Sequence, residues 1–131
     1  MIGYNYRLSN VNAAIGCAQI DQIKKFLKSK RKILKKYQQA FKNIPNVKIF
    51  VEPSNCKSNY WLQTLVLKNA NSKLRDLIIA TANKTGLSLR PVWKILTTIS
   101  YLKNYPSMDM TNSKNLQKRI INLPSSSHIE I

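Results

Sequence analysis

Apolar residues recur at spacings of three and four through Ile20, Ile23, Phe26, Leu27, Ile33, Leu34, Tyr37, Phe41 and Ile44. That spacing predicts an amphipathic helix over residues 20–44, ended by Pro45. Its opposite face is almost all lysine, and pairs such as Lys24/Lys28, Lys28/Lys32 and Lys32/Lys36 repel by about 0.2–0.5 kcal/mol each. Such a helix needs its apolar stripe packed against something. Upstream the pattern changes. Val11-Asn12-Ala13-Ala14-Ile15-Gly16-Cys17-Ala18-Gln19-Ile20 is small or apolar on nearly every side, with Ser9 placed ahead of it as an N-cap. A helix with no single polar face is expected to be enclosed.

Beyond Pro45 the period shortens. Residues 47–51 alternate weakly and read as a short strand, followed by a Pro53-Ser54-Asn55 loop. Residues 59–67, rich in aromatic and branched side chains, predict a stronger strand. Residues 69–72 form a turn in which Ser72 can cap a helix over 73–84, and Gly86 terminates that helix. Residues 87–93 read as a third strand interrupted by Pro91, so it should lie at an edge or end there. Two short helices follow, over 94–102 and 113–121, the second closed by Leu123-Pro124. The fold class expected is α+β: long linking helices, then a small three-stranded sheet with helices on one face. Residues 1–46 would form a linking segment with the long helices, and residues 47–131 a small α+β domain.

Charge changes this picture. The 131 residues carry 22 basic and 5 acidic side chains, for a net charge of +17. Nine of the basic residues and no acid fall between Lys24 and Asn43. A field of that size attracts polyanions, so a basic nucleic-acid-binding module is one reading of the chain. Against it, 17 of the 22 are Lys and only 5 are Arg, whereas base and phosphate recognition favours the Arg fork. The joint richness in Asn, Lys and Ile is also the drift of an AT-rich coding sequence. Cys17 and Cys56 are far apart, with no Cys-x-x-Cys and a single histidine, His128. No metal site or disulfide framework is expected, and Cys17 reads as a small buried hydrophobe. No apolar run is long enough to span a membrane and no secretory layout is present, so a cytoplasmic location is expected. There is also no paired-carboxylate, Gly-rich phosphate-loop or Ser-His-Asp signature.

The candidate chemistry lies in Gly3-Tyr4-Asn5-Tyr6-Arg7-Leu8-Ser9-Asn10, where an amide and a guanidinium sit among tyrosines just before the apolar helix. The guanidinium is a planar fork suited to phosphate or carboxylate. The string from Met1 to Ile20 resembles the segment joining the large and small domains of the DegT/DnrJ/EryC1/StrS aminotransferases. These enzymes use pyridoxal 5'-phosphate (PLP) to aminate keto-sugars carried on nucleotides. Asn59-Tyr60-Trp61-Leu62, Arg90-Pro91-Val92-Trp93 and Arg119-Ile120-Ile121-Asn122-Leu123-Pro124-Ser125-Ser126 extend the resemblance toward the branch that makes sugars of the legionaminic-acid type. The resemblance runs over nearly the whole chain.

The resemblance implies a role for several residues. Asn5 matches the asparagine that crosses a dimer interface to the PLP phosphate of the partner subunit, and Arg7 lines the same anionic site. Tyr4 and Tyr6 would pack around it, and Tyr4, Arg90, Trp93 and His128 would approach the sugar-nucleotide pocket. Each has a plainer reading: the tyrosines as core aromatics, Arg90 in a strand-end ion pair, Trp93 in the core, and His128 as structural. The family's Schiff-base lysine lies upstream of the matching segment. The chain is therefore expected to be the C-terminal part of a homodimeric transaminase, inactive by itself, without a catalytic residue of its own. The nucleotide-diphosphate sugar and an amino donor, glutamate, would be bound by the complete enzyme. A degenerate gene fragment is the remaining alternative. In either case the helix over 11–20 would have lost its cover.

Overall fold

The computed structural model describes residues 7–129. The elements are α1 (Asn10–Asp21), α2 (Ile23–Phe41), β1 (Val47–Ile49), β2 (Gln63–Leu67), α3 (Ser72–Lys84), β3 (Arg90–Pro91), a 3-10 turn (Leu96–Thr98), α4 (Thr111–Gln117) and β4 (Ile120–Leu123). The strands form one antiparallel sheet in the order β1-β2-β4-β3. The α+β class is the one expected, with four strands in place of three.

The added strand is β4, which the sequence pattern put at the end of a helix over 113–121. A short apolar run carries no period that separates helix from strand, and its paired isoleucines suit a pleated surface. In the fold α4 stops at Gln117, and β4 sits between β2 and β3 with Leu65 opposite Ile121 and Gln63 opposite Leu123. Similarly, the helix expected over 94–102 is only the 3-10 turn. Pro91 is on an edge strand, as proline in a sheet requires.

Leu65 and Leu67 of β2 and Ile121 and Leu123 of β4 form the core with Leu34, and Ile121 is fully buried. Tyr37 and Phe41 from α2 and Ile78, Ile79 and Ala82 from α3 pack against the same cluster, so both helices cover one face of the sheet. Burying a large apolar side chain is worth about 1.5–3 kcal/mol. Two or three of these on α2 outweigh the lysine repulsions on its other side, at a few tenths of a kcal/mol each.

Local chemistry sets the ends of the helices. The helix expected over 20–44 is broken at Gln22 (φ −101°, ψ 0°) and stops at Phe41, four residues before Pro45. Asn71, not Ser72, caps α3, its Oδ1 accepting the Leu74 N–H at 3.0 Å. Gly86, at φ +86°, closes α3: its N–H donates to the Asn83 carbonyl at 3.2 Å and the Leu87 N–H to Ala82 at 3.1 Å. This doubly bonded closure calls for a residue that tolerates a left-handed backbone.

Helix α1 departs from the enclosed helix that its composition implies. It has no buried residue, and its Val11, Ile15 and Ile20 are 69%, 56% and 66% exposed. Its apolar side chains are spread around the axis, so no single stripe can fold back onto the sheet. Cys17 is exposed as well, correcting its reading as a buried hydrophobe. No helix among the described residues is long and apolar enough to cross a membrane. A bare apolar surface of this kind should bind a hydrophobic dye. Val11→Asn with Ile15→Asn is expected to lower dye fluorescence several-fold while leaving the thermal unfolding midpoint unchanged.

Candidate functional site

The site begins with a loop where a strand was expected. Residues 59–62 do not join β2, because local side chains compete with the ladder. Ser58 Oγ accepts the Tyr60 N–H at 3.0 Å and Asn59 Oδ1 accepts the Trp61 N–H at 2.9 Å. Tyr60 is buried with φ +48°, an unusual backbone for a bulky aromatic residue. Such a conformation persists only where its surroundings over-determine it. Here Arg31 of α2 makes a two-pronged pair with Glu52, at 2.7 and 3.2 Å, and donates to the Ser58 carbonyl at 2.8 Å. The Ser58 N–H donates to the same carboxylate, and the Glu52 N–H donates to the Tyr60 hydroxyl at 3.1 Å. The guanidinium lies 5.1 Å from the centre of the Tyr60 ring. The turn held in this way leaves the next residue, Trp61, 64% exposed.

Trp61 forms one wall of a cleft of about 610 Å³, lined also by Lys30, Arg90, Trp93, Asn122 and Ser125. The two indole rings lie 5.7 Å apart, 30° from parallel, within the range of offset stacking. Gln117 of α4 donates to the Trp93 carbonyl at 3.2 Å and holds that segment in place. Arg90, on the edge strand, lies opposite Asn122 of β4.

Lys30 is the cation that α2 contributes. It falls between Phe26–Leu27 and Ile33–Leu34 on the apolar stripe, not among the lysines of the outer face. Its Nζ donates to the Trp61 carbonyl at 2.9 Å and to the Ser125 carbonyl, and burial lowers its pKa below that of an ordinary lysine. Beneath it Gln63 is wholly buried, with Nε2 donating to the Lys30 carbonyl at 3.0 Å and its own N–H to Ser125 Oγ at 2.7 Å. Among the described residues no carboxylate pairs with Lys30 or Arg90. Two flat rings beside two unneutralised cations suit a ligand that has both an aromatic ring and an anionic group.

The site residues read from the sequence are therefore divided. Arg90 and Trp93 line this cleft. His128 does not: it lines a separate groove with Lys25, Phe26 and Lys28, its ring edge-on to Phe26 at 6.0 Å. Arg7 is exposed, two residues before Ser9, whose side chain caps α1, in a groove lined among the described residues by residues 7–11. Tyr4, Asn5 and Tyr6 lie outside the described residues. The pattern reading missed Lys30 and Trp61. A lysine in the gap of the apolar stripe was the available signal for the first, and the Ser58-Asn59 pair before Tyr60 was the signal for the second.

A small antiparallel sheet backed on one face by two helices, with a helix ahead of them left bare, is an arrangement shared with solved aminotransferases of fold type I. PseC of Helicobacter pylori, an aminotransferase involved in the biosynthesis of pseudoaminic acid, superposes over 100% of this chain and 36% of its own, with TM-score 0.83 and 18% identity. The pattern of the DegT/DnrJ/EryC1/StrS aminotransferase family matches residues 1–130, and the chain belongs to that family. EpsN of Bacillus subtilis (strain 168), named as a pyridoxal phosphate-dependent aminotransferase, is 35% identical over 98% of this chain and 34% of its own length. The GDP-perosamine synthase of Vibrio cholerae is 29% identical over 95% of this chain and 34% of its length. The chain thus spans about a third of the curated relatives it matches.

PLP, which the family implies, can be tested against the donors present. Arg7 beside the N-terminus of α1 offers a cation and helix-end amides, a set that suits one phosphate group. That groove contains no lysine amine for a Schiff base. The residues therefore fit the phosphate end of the cofactor and not its aldehyde end.

The Arg31–Glu52 clamp gives a pH signature. Hydrogen bonds from Arg31 first, and then from the Ser58 N–H, hold the Glu52 pKa below the usual carboxylate range. A carboxylate whose pKa is depressed by folding adds stability above its unfolded pKa of about 4.3, and that stability is lost as pH falls through the folded value. Glu52→Gln should therefore lower the thermal midpoint at pH 7. The gap to the unsubstituted protein should shrink as the pH falls below the ordinary carboxylate value, which parallel melting curves would record.

Proposed function

We propose that this chain is the small-domain part of a PLP-dependent aminotransferase acting on a nucleotide-linked 4-keto-6-deoxy sugar, in a route to cell-surface polysaccharide amino sugars. The observation that carries this reading is the family match over residues 1–130, combined with coverage of only about a third of the relatives. The large domain would supply the Schiff-base lysine, and the chain by itself would be inactive. Residues 1–46 would link that domain to the sheet, and α1 would be covered by it. When bound, PLP supplies the electron sink for amino transfer, with glutamate as the donor.

The chain's own residues would bind and orient. Asn5 and Arg7 would hold the cofactor phosphate, Asn5 across a homodimer interface. Arg90 and Trp93, with Lys30 and Trp61 beside them, would take the nucleotide part of the substrate, the rings stacking on the base and the two cations meeting the diphosphate. His128, in its own groove, supports no role in this cleft. The working enzyme would be cytoplasmic.

Fusing this chain to the N-terminal two-thirds of EpsN tests the reading. The fusion should show PLP absorbance and glutamate-dependent amino transfer. Asn5→Ala should weaken PLP binding by at least about tenfold, the loss of roughly one charge-assisted hydrogen bond. A folded fusion that binds no PLP would overturn the proposal.

A further inference from the structure

The outer face of α2 is a second surface, separate from the cleft. Lys24, Lys25, Lys28, Lys32, Lys35 and Lys36 are all exposed. At helical spacing they fall within about a third of the circumference, opposite the buried Ile33 and Leu34, and extend over about 18 Å. The chain does little to neutralise them. Of the four acids among the described residues, Glu52 is engaged by Arg31, Asp76 by Arg75 and Asp109 by Thr111, while Asp21, a turn before Lys24 and Lys25, makes no ion pair. Among the described residues no carboxylate pairs with any of the six lysines.

One flank of this row opens into a groove of about 280 Å³, where Lys25, Lys28 and Lys32 meet Phe26, Ser127 and His128. Ser29 Oγ donates to the Ser127 carbonyl at 2.6 Å and fixes the C-terminal segment against the helix. The groove thus has a row of cations along one wall and an edge-on Phe26–His128 ring pair in the other. Lysines act as point charges, positioning phosphates without reading bases. Aromatic rings beside such a row are the composition of surfaces that take single strands. The apolar side of α2 is already in the protein core, so this face has nothing to insert into lipid.

We propose that this face binds single-stranded nucleic acid without sequence preference, with phosphates along the lysine row and a base against the Phe26–His128 corner. The proposal does not depend on the aminotransferase reading.

The test is fluorescence anisotropy of a labelled oligo(dT) 20-mer with the 131-residue chain over a range of salt concentrations. Two triple variants remove the same charge from different places: Lys25→Gln/Lys28→Gln/Lys32→Gln on this face, and Lys57→Gln/Lys73→Gln/Lys103→Gln elsewhere, all exposed positions. The first should lose at least about tenfold in affinity at moderate salt, with the slope of log K against log salt shallower by about 2, or ~0.7 for each lost phosphate contact. The second should stay within about twofold of the unsubstituted chain, as expected for charges that make no phosphate contact. Circular dichroism checks that all three proteins are folded alike. Equal losses in the two triples would mean net charge alone and overturn the proposal. So would an absence of binding at low salt, or tighter binding to phosphatidylglycerol vesicles than to the oligonucleotide at equal phosphate.

Discussion

The packing of α2 on the sheet is the interaction on which the rest depends. Its apolar stripe joins Leu34, Tyr37 and Phe41 to β2 and β4. One position on that stripe is a lysine, and burying it gives the fold its cleft. The Lys30 ammonium is too long and too polar to remain in the core, so it runs along the sheet end and ties the Trp61 and Ser125 carbonyls together. The same helix therefore supplies hydrophobic adhesion on one side, a lysine row on the other, and a single cation at the seam. Arg31, the next residue, fixes the loop that carries Trp61.

That loop illustrates how strain is used. Tyr60 accepts a left-handed backbone because Glu52, Ser58 and Arg31 leave it no alternative. The strained turn delays the start of β2 to Gln63 and leaves the neighbouring tryptophan exposed beside Trp93. Without the clamp, residues 59–62 would be free to extend β2, as their aromatic content suggests, and Trp61 would leave the cleft. Helix α1 presents the opposite case. Nothing in the described residues covers it, and its composition is that of a helix meant for an interior.

Much of this was legible in the sequence. The three-and-four spacing located α2, Gly86 marked the end of α3, and Pro91 placed its strand at an edge. Failures came where local chemistry or tertiary context overrode periodicity. The Ile120-Ile121 pair carries no period of its own and was drawn into the preceding helix, which removed a central strand from the reading. Tyr60 looks like strand sequence until the Ser58 and Asn59 side chains are given their backbone bonds. Within the site, Arg90 and Trp93 came from family likeness and do line one cleft. His128 came from the same likeness, yet the fold turns it toward Phe26. Lys30 was hidden among many lysines and is distinguished only by its phase on the helix.

Intrinsic tryptophan fluorescence of the chain during titration with GDP tests the proposed nucleotide cleft most directly, because both of its tryptophans line that cleft. Quenching should be saturable and weakened at least about tenfold by Lys30→Met or Arg90→Ala, the loss of roughly one charge-assisted contact. The same weakening is predicted when the unphosphorylated nucleoside is used. Fluorescence that does not respond to the nucleotide, or quenching untouched by both substitutions, would contradict it.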